Sequence, residues 1–416
     1  MALSGSFFPP GDKSISHRLA LISLLAQGES KVINLSPCED VRSSLKAVRT
    51  LGGTVKAEDE TYILKGLEGG VVPEAVIDCG NSGTTARMLM GLLAGRAGSY
   101  VLDGDASLRS RPMERAAELL RRLGATITTT AGGCPIKIRG GRLQGGHLDL
   151  PVASAQLKSA AILAGLQASG ETRVREPAPS RDHTERLLAL MGAEIKAEEG
   201  RVTVRSSELT MPAEYYVPGD ASSAAFFLGA AAISPGSQVT AERMLLNPTR
   251  VGFLAVLRRM GVRLTVEIQD RRPEPWGRVT VHYSPEITGV QIEAEEIPTL
   301  IDEVPILALV ATQAQGLTVF NGVGELRVKE SDRLTGLAVQ LASLQARIWA
   351  ESDKLFVQGP TVLKGGESLD ALGDHRLAMT LRLAILLARA KTRLLTEESV
   401  RISYPGFHEE LKRLWR

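Results

Sequence analysis

Lys13, Ser14 and Arg18 bring two cations and a hydroxyl to the start of a mostly apolar segment that extends to Gly28. A Pro-Pro-Gly run just before them disfavours an earlier helix start, because proline donates no backbone hydrogen bond and keeps its neighbour extended. We therefore predict a helix that begins near Asp12 as its cap and ends at Gly28. Cations at a helix N-terminus favour anion binding. Taken alone, the segment fits an anion site and a solvated helix start equally well.

The same order of a polar opening and an apolar stretch recurs five times. The later segments begin at Gly80, Ser154, Gly219, Asp302 and Gly373. Their spacing of roughly 65 to 80 residues indicates a repeated supersecondary unit. A second set of helical segments lies between them and mixes apolar with charged residues, so these helices should be half exposed. With short β-branched runs as strands, each unit is predicted to be βαβαββ-like.

The composition excludes several classes of protein. Net charge is +2 and aromatic content is 4% over 416 residues, which argues against a broad nucleic-acid surface. The three cysteines, Cys38, Cys79 and Cys134, form no CxxC pair, so neither a zinc site nor a disulfide framework is indicated. No apolar run reaches the roughly 18 residues that span a bilayer. The N-terminus lacks a signal-peptide pattern, so we expect a cytoplasmic protein.

Several common catalytic motifs are missing from the sequence. No Gly-Lys pair occurs, which excludes a P-loop, and Gly322-Val323-Gly324 lacks the third glycine of a dinucleotide-binding turn. Neither GxSxG nor HExxH is present. What remains is a set of loops rich in Lys, Arg, Ser, Asp and His at the predicted helix starts.

Five of these loops, in this order and spacing, carry a resemblance to a known family. They are Gly11-Asp12-Lys13-Ser14, Gly80-Asn81-Ser82-Gly83-Thr84, Leu108-Arg109-Ser110-Arg111-Pro112-Met113, Arg327-Val328-Lys329-Glu330-Ser331-Asp332-Arg333 and Asp374-His375-Arg376. Together they resemble the 5-enolpyruvylshikimate-3-phosphate (EPSP) synthases, and the likeness covers nearly the whole chain. The resemblance implies transfer of the enolpyruvyl group of phosphoenolpyruvate to the 5-hydroxyl of shikimate 3-phosphate in the shikimate pathway.

The resemblance also implies the fold. It is an α/β fold of two domains, an inside-out α/β barrel of six units with the active site in the interdomain cleft. The segment Tyr216-Val217-Pro218-Gly219 is the predicted crossing between the halves. We accordingly expect residues 1–12 plus 219–416 to form the first, discontinuous domain and residues 13–218 the second. A monomer without metal or organic cofactor is expected, with the two small-molecule substrates as its partners.

Both substrates are phosphorylated carboxylates, so a site for them needs several cations, and arginine forks match phosphate and carboxylate well. By resemblance, shikimate 3-phosphate is held by Lys13, Ser14, Arg18, Ser154, Gln156, Arg181, Asp302 and Lys329. Phosphoenolpyruvate is held by Lys13, Asn81, Gly83, Thr84, Arg111, Gln156, Arg333 and Arg376. Because Lys329 and Arg333 are four residues apart, we expect them on one face of a helix that starts near Glu330.

The reaction needs an acid and a base, because a proton must reach C3 while the sugar hydroxyl loses one. The resemblance implies Asp302 as the base for the hydroxyl and Glu330 as the group that exchanges the C3 proton. Lys13 and His375 would stabilise charge near the departing phosphate. Taken singly, each of these residues also fits a structural role, such as a helix cap for Asp302 or a surface partner of Arg333 for Glu330.

The sequence departs from the family pattern at a few positions. Ile402 occupies the place of a lysine found in some members, and Arg401 is a possible substitute. Ala155 replaces one serine of a Ser-Ser-Gln triplet. Gly83 predicts sensitivity to glyphosate, a phosphonate that occupies the phosphoenolpyruvate site, because resistant members can carry alanine there.

Two alternative functions remain to be distinguished. One is the sister enzyme that acts on UDP-N-acetylglucosamine, which has a catalytic cysteine in the loop before the Arg-Pro pair. Here that loop is Ser107-Leu108-Arg109-Ser110 and contains none. The other is a binding protein of the same fold that holds shikimate 3-phosphate without turnover. The presence of both Asp302 and Glu330 argues against it.

Overall fold

The chain forms two compact units in the computed structural model, which describes residues 2–58, 61–67, 70, 72–198 and 200–415. The inserted unit runs from Gly11 to Val217, and the flanking unit comprises the chain up to Pro10 and from Pro218 onward. The domain boundaries expected from the sequence, after residues 12 and 218, stay a prediction. The chain therefore leaves the flanking unit once and returns to it once.

Helices, numbered in chain order, occur in both units. They are α1 (Lys13–Ile22), α2 (Glu39–Thr50), α3 (Gly83–Ala94), α4 (Ala106–Ser110), α5 (Glu114–Arg121), α6 (Ala155–Gly165), α7 (His183–Leu190), α8 (Ala221–Ile233), α9 (Gly252–Arg259), α10 (Val304–Ala311), α11 (Arg333–Ser343), α12 (His375–Leu387) and α13 (Phe407–Leu414). Short 3-10 helices cover Ser23–Leu25, Ile297–Thr299, Ile301–Glu303, Gly324–Val328 and Glu397–Ile402.

The strands are numbered in the same way. They are β1 (Ser4–Phe7), β2 (Ala26–Gln27), β3 (Glu29–Ile33), β4 (Thr54–Glu58), β5 (Thr61–Lys65), β6 (Glu74–Asp78), β7 (Gly98–Asp103), β8 (Thr126–Thr130), β9 (Gly133–Gly140), β10 (Leu143–Gln144), β11 (His147–Asp149), β12 (Ala168–Ser169), β13 (Glu171–Arg175), β14 (Ile195–Glu198), β15 (Arg201–Arg205), β16 (Leu209–Thr210), β17 (Glu214–Tyr216), β18 (Gln238–Leu245), β19 (Leu264–Asp270), β20 (Trp276–His282), β21 (Gln291–Ile292), β22 (Gly316–Phe320), β23 (Arg347–Glu351), β24 (Lys354–Gly359), β25 (Leu369–Asp370) and β26 (Leu394–Leu395).

One pairing order recurs in the four-stranded sheets that the described residues form. The orders are β17-β3-β5-β4, β6-β7-β9-β8 and β11-β13-β15-β14 in the inserted unit, and β1-β18-β20-β19 and β21-β22-β24-β23 in the flanking unit. In each, the first pair is parallel and the other two are antiparallel. The predicted mixed α/β fold is confirmed. None of these sheets closes on itself, and the count of six units and the barrel arrangement stay predictions.

The inserted unit is closed by its own last strand. Strand β17 pairs in parallel with β3, with Tyr215 opposite Val32. Next to this pair, the side-chain Nδ2 of Asn34 donates to the backbone carbonyl of Val217 at 2.8 Å. Gly11 lies against the same place, where a Cβ atom would come within 1.7 Å of the Asn34 carbonyl oxygen, so only glycine fits. The first and last residues of the inserted unit thus meet at one point.

The helices differ in burial as their residue patterns predict. Helix α8 is apolar almost all round, and every one of its residues is buried. Helix α5 instead buries one face, formed by Ala116, Ala117, Leu119 and Leu120. Among the described residues, no helix combines the length and hydropathy that a membrane crossing requires. The buried helices form the cores, and their N-terminal ends carry most of the residues discussed below.

Candidate functional site

The N-terminal end of α1 is fixed by its cap. The Asp12 side chain accepts a hydrogen bond from the backbone N–H of Ile15 at 2.8 Å, as the sequence predicts. Lys13, in the first turn, pairs with the buried carboxylate of Asp40 on α2. The predicted end of this helix was wrong, because α1 stops at Ile22 and a short strand follows before Gly28. Gly28 has φ +84° and turns the chain from β2 into β3 instead.

Arg18 is buried and donates hydrogen bonds to three polar neighbours. Its Nε donates to Thr184 Oγ1 at 2.7 Å and its Nη2 to Ser159 Oγ at 2.8 Å. Its Nη1 donates to the backbone carbonyl of Ser14 at 2.9 Å. The Ser14 hydroxyl in turn accepts from Arg181 Nη1 at 3.3 Å. Two guanidinium groups therefore converge on Ser14, which makes this end of α1 strongly cationic.

A buried hydrogen-bond chain links α1 to α3 and was not foreseen from the sequence. His17 Nδ1 lies 2.8 Å from Ser44 Oγ, and Ser44 Oγ lies 2.7 Å from Thr85 Oγ1. Thr85 then donates to Ser82 Oγ at 2.8 Å, and Ser82 also caps α3 by accepting from the Thr85 N–H. Burial, together with the neighbouring charges of α1, holds the pKa of His17 well below its ordinary value. The imidazole is consequently neutral at physiological pH.

The first turn of α3 is surrounded by an arginine network. Arg87 Nη1 donates to Gln156 Oε1 at 2.6 Å, and Gln156 Nε2 donates to Thr84 Oγ1 at 2.9 Å. The other arm of Arg87 donates to the carbonyl of Pro112 at 2.8 Å. Arg87 was not predicted as a site residue, although its position one helical turn after Gly83 was a usable signal. Arg87 connects the starts of α3 and α6 to the loop before α5.

Arg111 is held beside this turn rather than in solvent. Its Nη2 donates to Asn81 Oδ1 at 2.5 Å and to Ser107 Oγ at 3.1 Å. Asn81 is itself oriented by Asp105, whose carboxylate accepts from Asn81 Nδ2 at 2.8 Å. The sequence-predicted residues Asn81 and Arg111 are therefore in contact.

Ser154, another predicted site residue, caps α6 by accepting a hydrogen bond from the Leu157 N–H at 3.4 Å.

In the flanking unit, Arg333 lies at the centre of a carboxylate cluster. Its Nε donates to Asp374 Oδ2 at 2.8 Å, its Nη1 lies 3.5 Å from Asp302 Oδ1, and its Nη2 pairs with Glu330. Arg333 is 1% exposed. Burial alone would lower the pKa of Arg333, but the three neighbouring carboxylates raise it, so the guanidinium stays charged. One buried cation thus binds both Asp302 and Glu330.

Arg376 and His375 begin α12, which is capped by Asp374. The Asp374 carboxylate accepts from the Arg376 N–H at 2.9 Å. The Arg376 side chain reaches back to Asp302, with Nη1 3.4 Å from its carbonyl oxygen and Nε 3.6 Å from its carboxylate. His375 is buried beside it. Asp374 therefore orients two arginines, Arg333 through its side chain and Arg376 through its backbone.

The prediction of a helix from Glu330 was wrong. Helix α11 begins at Arg333, and Asp332 caps it by accepting from the Thr335 N–H at 3.0 Å. Lys329 lies before the cap with an extended backbone, so Lys329 and Arg333 do not share a helix face. An aspartate cap ends the loop at this point because it satisfies the free N–H groups of the first turn.

Glu303 carries a further buried carboxyl group, which was not among the predicted site residues. It is 1% exposed and binds Ser222, whose hydroxyl also accepts from Arg250 Nη2 at 2.9 Å. Burial, and then the adjacent carboxylate of Asp302, raise the pKa of Glu303. The neighbouring carboxyl groups of Glu303 and Asp302 thus have different environments, since Glu303 is buried and Asp302 is half-buried.

Comparison with known proteins gives the family. The sequence profile of the EPSP synthase (3-phosphoshikimate 1-carboxyvinyltransferase) family matches residues 1–411. The chain belongs to this family. A 3-phosphoshikimate 1-carboxyvinyltransferase of Synechococcus sp. is 45% identical over 428 residues, which cover 100% of this chain and 98% of that protein. That of Bacillus licheniformis is 42% identical over 418 residues, covering 99% and 97%. An EPSP synthase structure from Acinetobacter baumannii superposes with a TM-score of 0.87 at 38% identity, covering 99% of this chain and 96% of that one.

The site residues expected of an EPSP synthase fall into two groups by unit. The inserted unit carries Lys13, Ser14, Arg18, Asn81, Gly83, Thr84, Arg111, Ser154, Gln156 and Arg181, and the flanking unit carries Asp302, Lys329, Glu330, Arg333, His375 and Arg376. Ile402 and Arg401 lie in the 3-10 helix Glu397–Ile402, and Arg401 is exposed. Within each unit, most members of the group touch another member. Their roles toward substrates stay predictions.

The thiols of this EPSP synthase family member are expected to be unreactive. Burial raises the pKa of Cys134 to about 11 and also raises the pKa values of Cys38 and Cys79. At pH 7.5 well under about 0.1% of Cys134 is thiolate, the reactive form. Incubation with iodoacetamide at pH 7.5 should therefore leave turnover unchanged, and labelling of Cys134 should speed up as the pH is raised. Rapid inactivation at pH 7.5 with one modified cysteine would instead point to a catalytic thiol.

Proposed function

We propose that this chain transfers the enolpyruvyl group of phosphoenolpyruvate to the 5-hydroxyl of shikimate 3-phosphate and releases phosphate, as a step of aromatic amino-acid biosynthesis. Membership of the EPSP synthase family supports the proposal, and the relatives compared above carry the name of this activity. The observation that carries it in the structure is the contact of the Asp302 and Glu330 carboxyl groups with one buried guanidinium, that of Arg333.

The proposed binding residues are those that the family resemblance implies, and their charges and contacts suit that role. Arg18, Arg181 and Ser14 form a cationic group at the start of α1 that suits the phosphate of shikimate 3-phosphate. Lys13, one residue away, supplies a compact positive charge between the two ligands. Ser154 and Gln156 at the start of α6 complete this group, and Asp302 and Lys329 of the flanking unit contact the same substrate.

Phosphoenolpyruvate is assigned to a second set of cations and small residues. At the start of α3, Gly83 has no Cβ atom, which allows a ligand to approach the backbone closely, and Asn81, Thr84 and Gln156 offer polar contacts. Arg111 lies beside them, within hydrogen-bond distance of Asn81. The flanking unit supplies Arg333 and Arg376. These three arginines, with Lys13 between the two ligands, match the negative charge of a carboxylate and a phosphate.

The proposed chemistry is addition followed by elimination. Asp302 accepts the proton of the 5-hydroxyl while the hydroxyl oxygen of shikimate 3-phosphate bonds to C2 of phosphoenolpyruvate. At the same time Glu330 delivers a proton to C3. In the second step Glu330 takes a proton back from C3 as the C2–O bond to phosphate breaks. Lys13 and His375 stabilise the charge on the departing phosphate. Arg333, bound to both carboxyl groups, keeps the acid and the base in a fixed relation.

The test is phosphate release with two alternative acceptors. With phosphoenolpyruvate present, shikimate 3-phosphate should support continuous release of phosphate, and UDP-N-acetylglucosamine should support none. Release of phosphate with UDP-N-acetylglucosamine but not with shikimate 3-phosphate would reassign the chain to the sister activity. Tight binding of shikimate 3-phosphate without any phosphate release would show a binding protein instead of an enzyme.

Three finer properties are proposed from the sequence. We infer a monomeric protein that acts in the cytoplasm on small-molecule substrates, without metal or organic cofactor. Sedimentation velocity at micromolar concentration should give a single species near the mass of one 44.6 kDa chain. Turnover should persist after extensive dialysis against a chelator. A larger species, or activity that returns only with added metal, would contradict these inferences.

A further inference from the structure

Lys158, on the buried side of α6, is an ammonium group without direct access to solvent. It is 2% exposed, and its Nζ donates to Glu176 Oε1 at 2.9 Å, to Glu185 Oε1 at 2.8 Å and to the carbonyl of Ser180 at 3.2 Å. These three contacts use all the protons of the ammonium group. A buried charge is tolerated when it is paired and hydrogen-bonded in this way.

The contacts of Lys158 hold one particular segment, residues 176–181. Glu176 at its start accepts from Lys158 and also from the Ser180 hydroxyl, while the Ser180 carbonyl accepts from Lys158. Both ends of the segment are therefore tied to the same ammonium group. The residue that follows Ser180 is Arg181, whose Nη1 reaches Ser14 Oγ at 3.3 Å.

The next residues in sequence belong to the same polar framework. Thr184, in α7, binds Ser159 at 2.6 Å, and Ser159 follows Lys158 in α6. Arg18 donates to both Thr184 and Ser159. Two adjacent residues of α6 thus support the two arginines assigned to phosphate. Lys158 holds the segment that carries Arg181, and Ser159 contacts Arg18 directly.

The cluster has two carboxylates for one cation, which is more acidic than charge balance requires. Glu185 on α7 is buried, and burial raises its pKa more than the contact with Lys158 lowers it. Apolar residues of similar volume often stabilise a fold as well as a buried ion pair does. The second carboxylate, Glu176, is the one that binds the segment before Arg181, which suggests a local purpose.

We propose that Lys158 and Glu176 form a clamp that positions Arg181, and that this clamp sets the affinity for the phosphate of shikimate 3-phosphate. The inference rests on the proposed function for the identity of the ligand. The clamp residues act on Arg181 and not on the ligand, since the three protons of Lys158 go to Glu176, Glu185 and the Ser180 carbonyl. They are positioning residues that act through the backbone of residues 176–181.

Glu176→Met is the sharpest test, because it opens the clamp. Lys158 and Glu185 remain as an ion pair without net charge, so the variant should still fold. The KM for shikimate 3-phosphate should rise by about 3- to 10-fold, the value of one hydrogen bond, with kcat and the KM for phosphoenolpyruvate within about twofold of wild type. Glu176→Gln keeps an acceptor for Lys158 and should restore most of the affinity. Amide hydrogen exchange of residues 176–181 should be faster in Glu176→Met and near normal in Glu176→Gln.

Glu171→Met is the matched control, since Glu171 begins β13, five residues before Glu176, and pairs with Arg173 and Arg205 at the surface. It should leave both KM values unchanged. If Glu176→Met does not fold, Ser180→Ala removes only the hydroxyl bound to Glu176 and should raise the same KM by about two- to threefold. An unchanged KM with unchanged exchange, or no recovery in Glu176→Gln, would overturn the clamp. The hydrogen-exchange measurement needs no substrate, so it tests the clamp even if the wild-type protein does not use shikimate 3-phosphate. Failure to use that substrate would count against the proposed function alone.

Discussion

Glu330→Gln should lower kcat by about 100-fold or more while the KM values for both substrates change little. Glutamine keeps an oxygen that can accept from Arg333, and Arg333 remains held by Asp374 and Asp302. What the variant loses is a group that can carry a proton to C3 and back. Steady-state kinetics measures the loss, and deuterium exchange into C3 of phosphoenolpyruvate should fall in parallel.

Asp332→Asn is the control for Glu330→Gln because it removes a carboxylate two residues away. Asp332 is exposed and caps α11, a role that asparagine also performs well. Its kcat should therefore stay within about twofold of wild type. A Glu330→Gln enzyme that turns over at the wild-type rate would remove Glu330 from the proposed mechanism. An equal loss in Asp332→Asn would show that the loop, and not the proton carrier, was damaged.

Gly83→Ala should weaken both phosphoenolpyruvate and glyphosate, with the larger effect on glyphosate. A Cβ atom at Gly83 would lie 2.7 Å from Arg87 Nη1 and 3.5 Å from Arg111 Nη1, so the Arg87 guanidinium must move. That movement strains its bond to Gln156 and narrows the space at the start of α3. Loss of one charge-assisted hydrogen bond should raise the inhibition constant for glyphosate by about 10- to 100-fold.

Inhibition curves against phosphoenolpyruvate measure this effect in wild type and variant. Glyphosate should compete with phosphoenolpyruvate in wild type, and the inhibition constant should rise in Gly83→Ala. Gly141→Ala is a matched control in the same unit, because a Cβ atom there meets open space. A wild-type enzyme that glyphosate inhibits without competing with phosphoenolpyruvate would contradict the assignment of Gly83. Equal glyphosate sensitivity in both alanine variants would do the same.

Local features of the site could be predicted from the sequence because short-range rules decide them. The Asp12 cap of α1 depends on residues three positions apart. The polar helix starts were recognisable because each lies before a long apolar run. The family followed from five such loops in order, and the profile match confirms it.

Contacts between distant segments were beyond prediction. Arg87 and Gln156 lie 69 positions apart, and Lys158 meets two glutamates from different elements. No spacing rule reports which charged residues share a buried space, because that depends on how helices pack. The predicted helix from Glu330 failed for a different reason. Its charged residues fit helical spacing, but Asp332 supplies a cap and starts α11 three residues later.

The pairing of β17 with β3 has a consequence for how the chain is made. The inserted unit has all its strands once residue 217 has been translated. Strand β1, although synthesised first, finds its partner only in β18, which begins at Gln238. Since domains fold as units while the ribosome is still extending the chain, the inserted unit should be complete before the flanking unit has its first paired strand. A chain interrupted shortly after residue 217 would therefore carry one finished unit and a short unpaired strand before it.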